Sequence, residues 1–267
     1  MIRLIALDLD GTLLNSQKKI SEKNLAAITE AKAQGVYVTI ATGRMLNSAS
    51  YFGELIGANA PLVCCNGGLV QAADAAEPVF SAVYEEEFAK AFMSYAIGEK
   101  HWYMQWHIDT EIYGTDFRPE YFHAYRTVPD FHIVETGEDY LSHAKNIMQF
   151  VLRDLTGEHM ASMVSDIKER FAGKIDVVTN VDTVTDVMPP GVTKSTGVEA
   201  LAKSLGLTKD EVMCCGDADN DLPMLKWAGT SVVPANGTAE AKALATYLAP
   251  HCDNDAIADA IRKLVIN

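Results

Sequence analysis

Several things are scarce in this chain of 267 residues. No apolar run approaches the roughly 18 residues a spanning helix needs, so the sequence predicts no membrane-spanning helix and no membrane partner. A basic leader followed by an unbroken apolar stretch is also missing, because Asp8 interrupts the first hydrophobic run, and no signal peptide is predicted. Basic residues are the minority: 22 Lys and Arg stand against 36 Asp and Glu, a formal net charge of −14. That balance argues against nucleic acid and anionic membranes, and it requires local positive charge wherever an anionic substrate is to bind. Cysteine is sparse, five in all, and four of them form adjacent pairs, Cys64-Cys65 and Cys214-Cys215, inside apolar runs. This spacing is neither a disulfide framework nor a CxxC metal site. It reads as small buried hydrophobes in a reducing cytoplasm. Repeats and low-complexity segments are absent, and no feature specifies an oligomeric state.

What is present starts at Ile2-Arg3-Leu4-Ile5-Ala6-Leu7-Asp8-Leu9-Asp10-Gly11-Thr12. The apolar run predicts a buried strand, and its position at the start of the chain predicts no domain before it. Residues i and i+2 of a strand point the same way, so Asp8 and Asp10 are expected to leave the strand end close together. Two unpaired carboxylates there repel and lose solvation, and a divalent cation such as Mg²⁺, which takes oxygen ligands, resolves the conflict. The same residues also read as a strand ending in a solvated acidic turn.

The next segments keep one rhythm. Ser21 is placed to cap a helix that runs to about Gln34, and Gly35 stops it. A second strand, 36–41, ends in Thr42-Gly43-Arg44, and a helix follows to about Ile56. A third strand, 61–65, ends in Asn66-Gly67-Gly68. Strands alternating with helices, with polar residues at the strand ends, predict a parallel sheet covered on both faces, with ligands outside its carboxyl edge. Thr42-Gly43 reads either as a capped helix start or as a phosphate-binding turn.

From about Val83 the pattern changes to a helix (85–98), strand-like segments (101–114), and a short helix near Pro119–Tyr125. Further strands at 145–152, 175–180 and 183–188 surround a helix at 157–171. Between 83 and 186 there are 19 acidic and 9 basic residues, against 17 and 13 elsewhere, and six of the seven histidines lie there. This predicts an α+β domain at 83–186 inserted into an α/β core made of 1–82 and 187–267. Its Trp102, Trp106, Tyr113, Tyr121 and Tyr125 read as cap core or as a platform for a sugar ring. The core resumes with a helix at about 195–205 and a strand, 212–215, ending in Gly216-Asp217-Ala218-Asp219-Asn220-Asp221. Lys194 sits at a helix N-terminus, the wrong end for its charge, which predicts that it reaches a carboxylate or phosphate.

These motifs, in this order, resemble the haloacid dehalogenase-like phosphohydrolases. Asp8-x-Asp10-Gly11-Thr12 resembles the first motif of that family, Thr42 the second, Lys194 the third, and Gly216-Asp217-x-x-Asn220-Asp221 the fourth. The insert after the third strand, Asn66-Gly67-Gly68 and Gly191-Val192-Thr193-Lys194 resemble the Cof-type subgroup, the sugar-phosphatase-like members with a large α/β cap. Ser195 departs from the glycine many relatives carry there. The resemblance implies a Rossmann-like, doubly wound parallel sheet with an inserted α+β cap. It implies a phosphoric monoester hydrolase acting on a small-molecule phosphate ester, with Asp8 as nucleophile and Asp10 as general acid/base. Mg²⁺ is implied on the Asp8 side chain, the Asp10 carbonyl and Asp217, with Asp221 and Asn220 near it directly or through water. Thr42, Gly43, Arg44, Asn66, Lys194 and Asn220 are the implied phosphate-binding residues. A phosphomutase and a non-catalytic sugar-phosphate binder remain alternatives at this point.

Overall fold

The computed structural model describes residues 1–121 and 133–266. It divides into two compact units, Met1–Phe80 with Thr193–Asn267, and Ser81–Val192.

In the first unit, β1 (Leu4–Leu7) is four buried apolar residues. It pairs in parallel with β2 (Tyr37–Ile40) on one side and with β12 (Val212–Cys215) on the other. Beyond β12 lie β13 (Thr230–Pro234) and β14 (Tyr247–Ala249), also parallel. The order is β14-β13-β12-β1-β2. The central strand is buried on both faces, which is why its sequence is continuously apolar rather than alternating. Helices α1 (Glu22–Ala33) and α8 (Ala256–Leu264) pack together, joined where buried Asn24 accepts the Ala258 N–H at 2.9 Å. Ser21 caps α1 as expected, accepting the Asn24 N–H. Leu4 and Ala6 contribute to a cluster with Val198, Leu201, Met224 and Leu225, which lie on α5 (Lys194–Ser204) and α6 (Leu222–Trp227).

The third strand differs from expectation. β3 (Leu62–Cys64) meets the parallel sheet only through the Ala41–Val63 bridge and the Thr42 N–H to Val63 carbonyl bond of 2.9 Å. It then pairs antiparallel with β4 (Leu69–Gln71) in a small sheet that includes β5 (Phe80–Ser81). A sharp turn at Cys65-Asn66-Gly67, with φ of 49°, 49° and 92°, reverses the chain where a helical crossover would otherwise begin.

The inserted unit is a six-stranded sheet, β10-β11-β9-β6-β7-β8. Its strands are β6 (Tyr103–Ile108), β7 (Glu111–Gly114), β8 (Val134–Glu135), β9 (Ile147–Arg153), β10 (Asp176–Val181) and β11 (Val184–Met188). Two helices, α3 (Glu86–Met93) and α4 (Met160–Arg170), supply Phe92, Met163 and Ile167 to a core shared with Trp106, Phe150 and Leu152. The helix expected through residue 98 changes to a π-helical turn, Ser94–Glu99. The boundary placed at Asp186 falls inside β11, which pairs with β9 and β10, so the unit extends to Val192. Trp106 is fully buried, with Tyr113 stacked on it and Trp102 packed against the same core. These three aromatics are therefore core residues. Tyr121 stacks on Tyr103 at 4.4 Å. Tyr125 and the rest of the expected helix at Pro119–Tyr125 beyond residue 121 lie outside the described residues.

Candidate active site

β1 ends at Leu7 and the backbone turns at once. The Asp8 N–H still bonds the Cys215 carbonyl at 2.9 Å, but Leu13 and Leu14 fold back onto the carbonyls of Asp8 and Leu9. Gly11 sits at φ +89°, and a Cβ there would stand 2.4 Å from the Asp217 Oδ2. Both the backbone angle and the space therefore demand glycine. The turn separates the two aspartates that strand alternation was expected to keep side by side. Asp8 points into the interior, while Asp10 faces outward and pairs with Arg44 Nη2 at 3.0 Å, Arg44 Nε at 3.1 Å and Lys18 Nζ at 2.8 Å. The guanidinium of Arg44 also lies over the Phe52 ring, 5.1 Å from its centroid.

Lys194 is the first residue of α5, after a reciprocal cap by Thr193 and Thr196. Its side chain is 1% exposed, and its ammonium donates to Asp8 Oδ1 and Asp221 Oδ1, each at 2.6 Å. Asp221 is wholly buried, and its other oxygen accepts the N–H groups of Asp217 at 2.9 Å and Ala218 at 3.0 Å. Asp221 thus orients both the lysine and the loop that carries Asp217. Gly216 leaves it room, since a Cβ there would come within 2.5 Å of Asp221. On the far side, Thr12 Oγ1 donates to Asp217 Oδ1 at 2.8 Å.

One oxygen each from Asp8, Asp217 and Asp221 lie within 4.8 Å of one another. Three carboxylates therefore share a single ammonium. Burial pushes the Asp8 carboxyl well above its ordinary pKa, with repulsion from Asp221 and Asp217 adding to it and Lys194 opposing. Burial also raises Asp217, reinforced by Asp221 and relieved by Thr12. Lys194 is held above the usual lysine range by Asp221 and Asp8, although burial alone would lower it. For Asp10, burial works upward but is outweighed by Arg44 and Lys18, which hold it below the usual carboxylate range. The trio offers hard oxygen donors and a surplus of negative charge, the donor set a dication such as Mg²⁺ takes. Asp10 contributes no side-chain oxygen to that trio.

The remaining expected residues occupy neighbouring strand ends. Thr42 is buried, and its hydroxyl accepts the Arg44 N–H at 3.2 Å. It does not cap the following helix, because α2 (Leu46–Ile56) begins four residues later, after Met45. Asn66 is buried in the left-handed turn after β3, and its carbonyl oxygen accepts from Asn220 Nδ2 at 3.4 Å. Gly43 abuts it, since a Cβ there would be 3.0 Å from Asn66 Oδ1. Gly67 lets the same turn press onto the start of α5, where a Cβ would overlap the Thr193 carbonyl at 1.9 Å. The structure therefore groups Asp8, Lys194, Asp217 and Asp221 together, Asp10 with Arg44, and Asn66 with Asn220. Two participants escaped sequence reasoning. Thr12 lay within the motif but was read only as part of a pattern. Asn236 follows β13, donates to the Gly11 carbonyl at 2.7 Å and accepts from Cys252 N–H at 2.9 Å. Its position after a strand C-terminus was the available clue.

A family model described as haloacid dehalogenase-like hydrolase matches residues 5–261. A Streptococcus pyogenes serotype M6 protein whose name carries the word phosphatase is 31% identical over 277 residues, covering 100% of this chain and 99% of that one. A solved haloacid dehalogenase-like hydrolase from Bacteroides thetaiotaomicron has a TM-score of 0.88 at 25% identity, over 99% of this chain and 100% of that one. A solved sugar phosphatase of subclass IIB has a TM-score of 0.85 over 99% of this chain and 100% of that one, and at 20% identity its likeness is one of fold. Among the described residues no helix is long and apolar enough to cross a membrane. With its acidic strand ends, buried lysine and inserted sheet, the chain belongs to the haloacid dehalogenase-like hydrolases, as a phosphoric monoester hydrolase.

Proposed function

We propose that this enzyme is a magnesium-dependent phosphatase of small phosphorylated metabolites, sugar phosphates foremost, working through a phosphoaspartate on Asp8. The observation that carries the reading is the buried Asp8 carboxylate, held by Lys194 at 2.6 Å, with Asp217 and Asp221 oxygens within 4.8 Å. Asp8 attacks phosphorus, the bond to the substrate's alcohol oxygen breaks, and Asp10 supplies the proton that oxygen needs. In the second half-reaction Asp10 takes a proton from the water that attacks the phosphoaspartate. Pairing with Arg44 and Lys18 favours the anionic form of Asp10 that this half requires, whereas the first half draws on Asp10 loosened from that pair and protonated. Asp8, Asp217 and Asp221 would hold Mg²⁺, which supplies positive charge against the phosphate dianion. Lys194 and Thr42 are assigned to the transferring oxygens, with Gly43, Asn66 and Asn220 bordering them.

The sugar-phosphate preference draws on the activity named for the subclass IIB relative, and the inserted unit is assigned to substrate selection. A cytoplasmic location is supported by the five cysteines, all free and buried. The deciding experiment is Asp8→Asn in the full chain. Turnover of phenyl phosphate should fall by on the order of 10⁴-fold or more, as for a covalent nucleophile. Acid-quench trapping should recover acyl-phosphate on the wild type and none on the variant. Acyl-phosphate on another residue would refute the assignment.

A further inference from the structure

Among the described residues, a second group of metal-ligating side chains lies on the loop after β14, apart from the carboxylate trio. His251, Cys252 and Asp253 follow one another there, and one donor atom from each lies within 4.8 Å of the others. Three consecutive residues bring nitrogen, sulfur and oxygen together only in a tight bend. A single 3₁₀ turn, Cys252–Asn254, supplies it, and Asp255 ends it in the left-handed region at φ 60°. His251 Nδ1 stands 3.7 Å from Cys252 Sγ and 3.5 Å from Asp253 Oδ2. Tetrahedral Zn²⁺, with bonds of about 2.0–2.3 Å, sets such donors roughly 3.3–3.6 Å apart. Both spacings are therefore close to the edges of that tetrahedron.

The surroundings hold each donor from behind. Cys252 is 7% exposed, and its N–H donates to Asn236 Oδ1 at 2.9 Å. Asp253 Oδ1 accepts the Ser16 N–H at 2.7 Å, and the Ser16 side chain bonds the same carboxylate. His251 Nδ1 accepts the Asp253 N–H at 3.2 Å, the long end of the hydrogen-bond range. That contact places the ring proton on Nε2 and the lone pair on the nitrogen beside the sulfur, the tautomer a metal ligand needs. Partners that fix the orientation of the ligands distinguish a built metal site from a chance surface cluster. The side chains of His251 and Asp253 are partly exposed, so an ion has a path from solvent to the sulfur.

We propose that His251, Cys252 and Asp253 form a metal site for a borderline divalent ion, Zn²⁺ foremost, separate from the oxygen trio of Asp8, Asp217 and Asp221. Ligand chemistry keeps the two apart. Three carboxylates suit Mg²⁺, whereas a thiolate beside an imidazole selects Zn²⁺ or Co²⁺. The thiol releases its proton to solvent as the metal–sulfur bond forms, the imidazole binds in its neutral form, and water takes the fourth position. The site adjoins the catalytic turn within the α/β unit. Asn236, which holds the Cys252 amide, donates its Nδ2 to the Gly11 carbonyl at 2.7 Å, and Ser16 lies on the segment that follows that turn. A metal here ties the loop after β14 to the segment behind Asp8 at two points, without occupying a position assigned to the phosphate.

The test titrates the full chain with Co²⁺, under a phosphine reductant and with Mg²⁺ in large excess to fill the oxygen trio. A thiolate bound to Co²⁺ gives a near-ultraviolet charge-transfer band, which Co²⁺ on carboxylates alone does not. Cys64, Cys65, Cys214 and Cys215 are 0% exposed, so the band reports Cys252. The wild type should take up one Co²⁺ per chain with this band and lose it when one equivalent of Zn²⁺ is added. Cys252→Ser should show no band. In His251→Ala and Asp253→Ala the Co²⁺ affinity should fall at least about tenfold, the scale of disturbing even a residue that supports a ligand. Absence of the band in the wild type, or its persistence in Cys252→Ser, would overturn the proposal. Unchanged affinity in either His251→Ala or Asp253→Ala would also overturn it and reduce the site to a single thiol. These two side chains are partly exposed, so their variants decide the question even where Cys252→Ser fails to fold.

Discussion

The α/β unit and the inserted unit bury polar groups in opposite ways. At the sheet edge of the α/β unit the buried groups are charged and bonded within the protein: Lys194 to two carboxylates, Asp221 to a lysine and two amides, Asp217 to Thr12. In the inserted unit the buried polar groups include neutral His107 and Gln149, whose ring nitrogens and Oε1 lack a hydrogen bond, beside charged Arg153, which is bonded to Gln105 and the Tyr121 carbonyl. Buried atoms that lack a hydrogen bond, both ring nitrogens of His107 and the Oε1 of Gln149, lie between Ser81 and Val192. A preorganised charge network suits a chemical step common to all phosphate esters, because its dipoles need no rearrangement when charge develops. Unsatisfied neutral groups suit discrimination, because a partner lacking the matching atoms leaves them costly.

The sharpest way to break that contrast is to open the charge network. Lys194→Met leaves Asp8 and Asp221 buried without their counter-ion, and removing one partner of a buried pair costs about 3–5 kcal/mol. We expect that loss in urea unfolding at pH 7, together with loss of turnover. A variant as stable as wild type would mean that the carboxylates find other compensation. Metal removal probes the same surplus of negative charge. A chelator should abolish activity and lower the unfolding midpoint, and Mg²⁺ at a hundred times its Kd should restore about 2.7 kcal/mol. Full activity in metal-free protein would remove the rationale for the carboxylate trio.

The next test concerns the inserted unit alone. His107 in the folded chain has a pKa of about 3, against about 6.5 when unfolded. Between those values the unfolded chain binds the extra proton. Stability is therefore fully present above pH 6.5 and is lost as pH falls, by about 2 kcal/mol at pH 5. His107→Leu should flatten the change in unfolding free energy between pH 7 and pH 5 by that amount. An unchanged slope would show that the imidazole is solvated or paired. The smallest effect is expected at Thr12→Val, which removes one hydrogen bond to Asp217 at a cost of about 1 kcal/mol. It should raise the Mg²⁺ concentration needed for half-maximal activity and leave discrimination between phenyl and sugar phosphates unaltered.

Much of this was legible in the residues. Continuous apolar runs marked β1, β2 and β12 because central parallel strands are buried on both sides, and the polar residues after them, Asp8, Thr42 and Asp217, marked the sheet edge. The separation of Asp8 from Asp10 was not legible from strand alternation, because the strand ends at Leu7 and the direction of Asp10 is set by Arg44 and Lys18. Strands of three residues, such as β4 and β14, are too short to carry a period. In the inserted unit the large aromatics drew attention that belonged to their neighbours. Tyr103-Met104-Gln105-Trp106-His107-Ile108 alternates in plain sight, and the polar members of that alternation, not Trp106, turn away from the core. Their burial was invisible in sequence, since an alternating strand ordinarily exposes its polar face.

The contact between Gly67 and the Thr193 carbonyl has a consequence for how such a chain can change over generations. Lys194 follows the long excursion through Ser81–Val192, yet its position is set by the turn at Gly67, the close approach of Gly197 to Val63, and its bonds to Asp8 and Asp221. All of these belong to the α/β unit. Insertions, deletions or wholesale replacement of the intervening segment can therefore accumulate without retuning the lysine, because loop length adds only slowly to the entropy of closing the chain. A side chain at Gly67 or Gly197 has no such latitude. The intervening segment can accordingly be rewritten while the lysine and its two carboxylate partners are inherited unchanged.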